Sequence, residues 1–458
     1  MIRPDRSLTP RSLRPDLDRV LELSAAKIAR LQKSWDPRRG APVVTVNGRY
    51  TTRGWTEWTQ GFQFGSALLQ FAATGDRPML ALGREGTRRF MAAHLTHIGV
   101  HDHGFNNVST YGTLHQLARG GRFSATAEEI RGYELALKVS GAVQAARWTE
   151  LPDGLGYIYS FNGPHSLFAD TIRSLRSLAL AHRLGHVLMG ERDRRISLLH
   201  RLLQHAETTA RFNVYFGRGR DAYDVRGRVA HETIFNLNDG SFRCPSTQQG
   251  YSPFTTWTRG LAWILCGYAE QLDFLATLPD REFGPRGAKA ATLQRFLETA
   301  RATADYFIAN TPTDGVPYWD TGAPGLVHLG AYLDRPADPF NDHEPVDSSA
   351  AAIASQGLLR LGLYLEPKDK EAGGRYVAAG LTVARTIFNA PYLSTSPRHE
   401  GLLLHTVYHR PNGWDHVPRG RRIPCGEACM WGDYHVRELA LLIASLAGAK
   451  AHYTFFGP

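Results

Sequence analysis

Apolar positions along this chain recur mostly with the helical period. Stretches in which they return every three or four residues predict helices over 15–35, 60–74, 77–98, 106–119, 127–146, 166–187, 190–212, 256–275, 288–310, 347–364, 370–390 and 427–447. Some starts are marked as well. Thr126 precedes AEEIRGYELAL with Glu129 three residues on, the pattern of a capping box, and Asp347 precedes SSAAAIASQGLLRLGLYL. Short runs over 157–161, 230–237 and 403–408 read as strands between the helices. No sequence period marks a superhelical repeat array, and a four-helix bundle would leave too much chain over. The pattern therefore implies an all-α class and a helical toroid, with six inner and six outer helices paired as hairpins. Pro- and Gly-rich stretches at 216–228, 311–345 and 410–424 read as loops within one domain over 1–458, with 1–14 a flexible N-terminal segment. In such a toroid the inner-helix ends and the long loops meet at one end, so polar and aromatic clusters at helix starts are the informative places.

Composition narrows the partners. The chain has 458 residues, 43% hydrophobic and 21% charged, which is ordinary for a globular protein with a large core. Its net charge of +10 is scattered and mostly Arg. With no basic run and no nucleic-acid motif, that excess points to an acidic small molecule or oligosaccharide rather than to nucleic acid or membrane. Cys244, Cys266, Cys425 and Cys429 are too few for a disulfide framework, and Cys425 and Cys429 lack partners at zinc spacing. Reduced thiols are expected, and no metal or cofactor. The basic start MIRPDRSLTPRSLRPDLDRV is not followed by an apolar run, and no stretch is long enough to span a membrane. A cytoplasmic location is expected, or a periplasmic one if a leader has been removed. The sequence leaves the oligomeric state open.

Five segments carry candidate chemistry. The densest runs from His231 to Tyr268 and holds Gln249, Tyr251, Trp257, Arg259 and Trp263. Arg259 and Trp263 are four apart at a helix start and share a face, an arrangement that can clamp a carboxylate while an indole stacks on a sugar. A core Trp and an Arg paired with a structural acid would give the same spacing. His101-Asp102-His103-Gly104-Phe105 precedes a helix, where Asp102 could be a cap; the histidines could suggest a metal, but no third or fourth ligand is evident. In HSLFADTIRSLRSLAL, Asp170 falls inside the predicted helix, near the row Leu167, Thr171, Ser174 and Leu178. An inward-facing Asp there suits an acid catalyst with a raised pKa, whereas an exposed one would pair with Arg173 or Arg176. The remaining two are Trp55-Thr-Glu-Trp58-Thr-Gln60-Gly61-Phe62 and Pro345-Val-Asp347-Ser348-Ser349-Ala350.

Taken in order, WTEWTQGFQFG, HDHGF, FADT, the His231–Gln249–Arg259–Trp263 set, PVDSSAAAIASQGLL and MWGDYHVRELALL resemble the unsaturated glucuronyl hydrolases, glycoside hydrolase family 88, over about residues 55–445. The sister family of unsaturated rhamnogalacturonyl hydrolases, family 105, shares some of these landmarks. The resemblance implies an (α/α)6 barrel with short β pieces in loops and a metal-free reaction on an anionic oligosaccharide ending in an unsaturated uronate. It further implies that an acid protonates C4 of the C4=C5 vinyl ether, water adds at C5, and the hemiketal formed opens to break the glycosidic bond. Asp170 matches the general acid/base and Asp102 the assisting aspartate. His231, Gln249, Arg259, Trp263, Ser348, His101 and Trp58 match positions near the sugar. Phe161 stands where the family has a tryptophan, which keeps stacking and loses the indole N–H. Ala351 replaces a serine associated with the neighbouring sugar. A family-105 substrate, a saturated glucuronide on the same fold and a non-catalytic oligosaccharide-binding toroid are the alternatives.

Overall fold

The computed structural model of the chain describes residues 1–53, 58–449 and 451–457. Outer and inner helices alternate along it. Outer α1 (Arg14–Ser34) leads to inner α2 (Gln60–Thr74), and outer α3 (Arg77–Phe90) to the inner pair α4 (His103–Asn107) and α5 (Thr113–Arg119). Outer α6 (Ala127–Ala146) is followed by the inner pair α7 (Thr171–Ser174) and α8 (Arg176–Arg183), then outer α9 (Leu198–Phe212) by inner α10 (Thr258–Ala276). Outer α11 (Ala288–Ala309), inner α12 (Ser348–Leu365), outer α13 (Lys370–Ile387) and inner α14 (Met430–Ala447) complete the series, and α14 packs on α2 to close the ring. The burial pattern follows the sequence. On α10 every residue from Thr258 to Leu272 is buried, whereas α3 buries only the stripe Met79, Leu80, Gly83, Gly86 and Thr87. One apolar core reaches from Ile2 to Phe455. This is the (α/α)6 barrel that the periodicity and the resemblance led us to expect.

Several boundaries differ from expectation, each for a local reason. The helix predicted over 166–187 opens as a strand, Ser166–Phe168, paired antiparallel with Glu232–Phe235. A fully buried apolar run has no periodicity to separate strand from helix. Asp170 consequently lies at the N-cap of α7 rather than inside a helix. The helix predicted over 190–212 begins only at Leu198, because Val187–Met189 and Arg195–Ser197 form a hairpin ahead of it. The stretch 403–408 makes isolated bridges, Leu403 to Leu393 and Leu404 to Ala428, rather than a strand. A hairpin that went unpredicted, Pro42–Val46 with Arg49–Thr52, turns at Asn47-Gly48, both with positive φ. Asn-Gly between alternating apolar residues is a strong hairpin signal and could have revealed it. The N-terminal segment, expected to be flexible, is docked instead. Ile2 is buried and its N–H donates to the Ile308 carbonyl, while Asp5 pairs with Arg385.

Candidate active site

Asp102 occupies the N-cap position of α4 and Asp170 that of α7, yet neither side chain caps its helix. Both carboxyls turn to His101. Its Nε2 is 3.0 Å from Asp170 Oδ2 and 3.8 Å from Asp102 Oδ1. The strand pairing ahead of Asp170 brings a second imidazole close. Ala169 N–H donates to the His231 carbonyl at 2.8 Å, and His231 Nε2 lies 3.8 Å from Asp170 Oδ1. Backbone N–H of Gln248 donates to His231 Nδ1 at 3.0 Å, so the neutral ring carries its proton on Nε2, facing Asp170. Asp170 Oδ1, His231 Nε2 and His101 Nδ1 are buried and have no hydrogen-bond partner among the described residues. Buried polar atoms are nearly always satisfied, so the facing pair Asp170 Oδ1 and His231 Nε2 marks a place for a ligand or its water.

Electrostatics separate the two acids. Burial pushes the Asp102 carboxyl up, and neighbouring Asp170 adds to that against the pull of His101, raising it to about 6. Burial acts the same way on Asp170, but the His101 hydrogen bond and charge outweigh it and hold that carboxyl below its ordinary range. His101 is disfavoured as a cation by burial, yet Asp102 and Asp170 together raise it. His231 is kept neutral by burial. A raised pKa was expected of Asp170 and falls on Asp102 instead, because His101 bonds directly to Asp170.

The pocket above these groups is lined by Trp58, His101, Asp102, Phe105, Phe161, Phe168, Asp170, Gln248, Gln249, Trp257, Arg259, Trp263, Tyr408 and His409. Arg259 is 1% exposed, and both its terminal nitrogens are engaged. Its guanidinium donates to Asp347 Oδ2 at 2.7 Å, Tyr408 O at 2.7 Å, Gln249 Oε1 at 2.8 Å and Val407 O, and it lies between the Trp257 and Trp431 rings. Of the two readings that spacing left open, the Arg paired with a structural acid is the arrangement found. By holding the Gln249 carbonyl, Arg259 leaves that side chain's NH2 as its remaining polar group. Trp58 stacks on Trp431 and donates to the Tyr408 hydroxyl at 3.3 Å. Phe161 stacks on His101 at 5.7 Å and meets Phe168 edge-on, shielding the imidazole.

No protein-family model matches the chain. Among curated proteins it is 26% identical over 402 residues to the unsaturated glucuronyl hydrolase of Bacillus sp. (strain GL1), spanning 87% of this chain and 89% of that protein. It is 22% identical over 401 residues to an unsaturated chondroitin disaccharide hydrolase of Streptococcus agalactiae serotype III, spanning 86% and 83%. Among solved structures, the unsaturated glucuronyl hydrolase of Streptococcus agalactiae superposes with a TM-score of 0.70 at 19% identity, over 98% of this chain and 94% of that one. An Asp-to-Asn mutant of that enzyme, solved with dGlcA-GalNAc6S, gives 0.65 at 18% identity over 96% and 93%. Over most of its length the chain is thus similar in sequence to unsaturated glucuronyl hydrolases, and it shares their fold.

Of the positions carried over from this family, Trp58, His101, Asp102, Phe161, Asp170, Gln249, Arg259 and Trp263 meet around one pocket. His231 stands directly behind Asp170, packed on Phe168 and Trp257. Ser348 is not brought to the pocket lining; it is buried at the start of α12 and donates to Leu404 O at 2.6 Å. Trp55, in the first family landmark, lies outside the described residues. Phe168, Gln248, Tyr408 and His409 line the pocket without having been singled out. Tyr408 and His409 reach it from a loop almost 150 positions beyond Arg259, pinned by Asp415, whose carboxylate accepts from both backbone N–H groups. Nothing local in sequence reports such an approach. Of the two histidines that could have suggested a metal, His103 bonds Ser140 and the His97 carbonyl instead, while His101, Asp102 and Asp170 offer ligand atoms within 4.8 Å of one another, and among the described residues no fourth His, Cys, Asp or Glu joins them. Their chemistry is equally that of a shared proton, since His101 Nε2 already bonds Asp170.

Proposed function

We propose that this chain is a glycoside hydrolase releasing a 4,5-unsaturated uronic acid from the non-reducing end of lyase-generated glycosaminoglycan oligosaccharides, by hydration of the C4=C5 vinyl ether. The observation that carries the reading is the Asp102–His101–Asp170 array at the pocket floor, in a chain whose relatives act on unsaturated uronates. Vinyl-ether hydration needs one proton delivered to C4 and one removed from the water that adds to C5. In mildly acidic solution the array supplies both capacities. Asp102 retains a proton up to about pH 6, and Asp170 is a carboxylate with one oxygen on His101 and the other open beside His231. In our reading Asp170 passes the array's proton to C4 and accepts one from the incoming water. The hemiketal at C5 then opens and expels the neighbouring sugar. Neutral His231, donating from Nε2, orients the ring or the water, and Trp58, Phe161 and Trp263 give the sugar apolar faces. Arg259 contributes positive charge to the wall while its donors hold Gln249 and the 407–408 backbone.

The test follows the ultraviolet absorbance of the conjugated C4=C5 bond during incubation with a panel of lyase-generated unsaturated disaccharides in the presence of a chelator. Loss of absorbance with at least one member is expected, and the ranking across the panel names the parent polysaccharide. A folded protein that leaves every chromophore intact overturns the reading and directs the search to saturated glucuronides. Activity abolished by the chelator and restored by a divalent cation would convert the array into a metal site.

A further inference from the structure

Asp170 and Ser174 stand four residues apart at the start of the inner pair α7–α8, so they share a face one turn apart. Both reach the same residue. Asp170 Oδ2 holds the His101 imidazole at 3.0 Å, and Ser174 Oγ donates to the His101 carbonyl at 2.7 Å. The same hydroxyl accepts from Gly104 N–H at 2.8 Å and from Gln144 Nε2 at 2.9 Å. Gln144 Nε2 uses its second hydrogen on His101 O, also at 2.9 Å, and Gln144 Oε1 accepts from Ser177 Oγ. Every donor and acceptor of the Ser174 hydroxyl is thereby used. The turn carrying Asp102 rests on this helix without clearance: a Cβ at Gly104 would stand 2.3 Å from Ser174 O. Ser174 and Gln144 are 0% exposed and line no part of the pocket.

We infer that Ser174, braced by Gln144, is a positioning residue that sets the separation of Asp102 and Asp170 by clamping the His101–Gly104 turn to the helix that Asp170 begins. The inference rests on the reading of these aspartates as the reacting carboxyls. A displacement near 1 Å is enough to cost a catalytic constellation about 100-fold. The charged and titratable groups facing the aspartates are His101, Arg147, His231, His205 and Tyr408. None of them replaces the clamp, since His101 is the residue being clamped and the others approach from α6, α9 and the distant loops. A loosened turn admits water to Asp102 and moves it from Asp170, relaxing both influences that raise it.

The experiment compares Ser174→Ala and Gln144→Met with the parent, using an unsaturated disaccharide that the parent turns over. Expected are a kcat lower by about 10- to 100-fold, a KM changed by less than about threefold, and an alkaline limb of the pH profile moved to lower pH. Ser355→Ala, which removes a comparable buried bond to Gly380 O, should leave kcat and the limb unchanged. Parent-like kcat and limb in folded Ser174→Ala and Gln144→Met overturn the clamp, as does an equal effect from Ser355→Ala. Should Ser174→Ala not fold, Gln144→Met decides. A parent inactive on the whole panel is a failure of the functional reading instead. The clamp is then decided by an imidazole NMR titration of histidine-labelled protein, with His101 assigned from His101→Ala. A shifted His101 midpoint in Gln144→Met supports it, and an unchanged midpoint overturns it.

Discussion

Asp170 gives one carboxylate oxygen to His101 and leaves the other without a hydrogen-bond partner among the described residues, while burial and the neighbouring Asp170 raise Asp102 to about 6. Two predictions belong to these residues. Asp170→Asn should retain ligand affinity and lose turnover by roughly three orders of magnitude, since proton transfer contributes about 10²–10⁴-fold; equilibrium binding beside steady-state rates checks it. Asp102→Asn should abolish the alkaline limb that the parent shows as pH rises through about 6. The same substitution has a stability signature. A carboxyl raised by burial adds most to stability below its unfolded pKa and loses that contribution as pH climbs through the folded value. Asp102→Asn should therefore melt higher than the parent at pH 8, by on the order of 2 kcal/mol, with no gain at pH 4, read by paired thermal scans.

At the scale of elements, the pocket is a meeting of helix starts with loops that arrive from far along the chain. The α10 start contributes Arg259, the α12 start contributes Asp347, and the 407–415 loop contributes two carbonyls that Arg259 binds. Removing this Arg leaves Asp347 charged and buried, a situation that costs about 3–5 kcal/mol. Arg259→Ala should accordingly lower the melting temperature and weaken neutral and anionic ligands alike, because Gln249 and Tyr408 lose their anchor; weakened anionic ligands alone, at unchanged stability, would restore a carboxylate clamp. The second inner unit shows a related feature. Between α4 and α5 the chain makes a π-helical turn over Val108–Gly112, a distortion frequent at functional sites, directly after the turn that carries Asp102.

At the scale of the molecule, the end of the barrel away from the pocket is closed by the C-terminal segment. Arg360 donates to Tyr453 O at 2.8 Å, Gln116 to Thr454 O at 3.1 Å, and Phe455 packs on Phe274. Beneath it the inner helices are tied by buried charges, with Arg173 bonded to Glu270 at 2.9 Å and to Glu438 at 2.6 Å. Truncation after Ala449 should admit water to this network and lower the melting temperature by several degrees, while kcat at room temperature stays within about twofold; a large loss of kcat in the folded truncate would mean the tail shapes the pocket. The sequence alone determined the alternation of helices, because a stripe or a full circle of apolar residues can be buried in few ways. It also determined the ordered landmarks that pick out Asp102 and Asp170, because each is local to a helix start. Tertiary structure decided three things that depend on distances across the chain. It gave the raised pKa to Asp102 rather than Asp170, since only the fold shows which carboxyl His101 bonds. It paired Arg259 with Asp347, one of the two arrangements its spacing allowed, since Asp347 lies 88 positions away. It added Tyr408 and His409 to the pocket, since a loop's side chains carry no periodicity that reports what they will face.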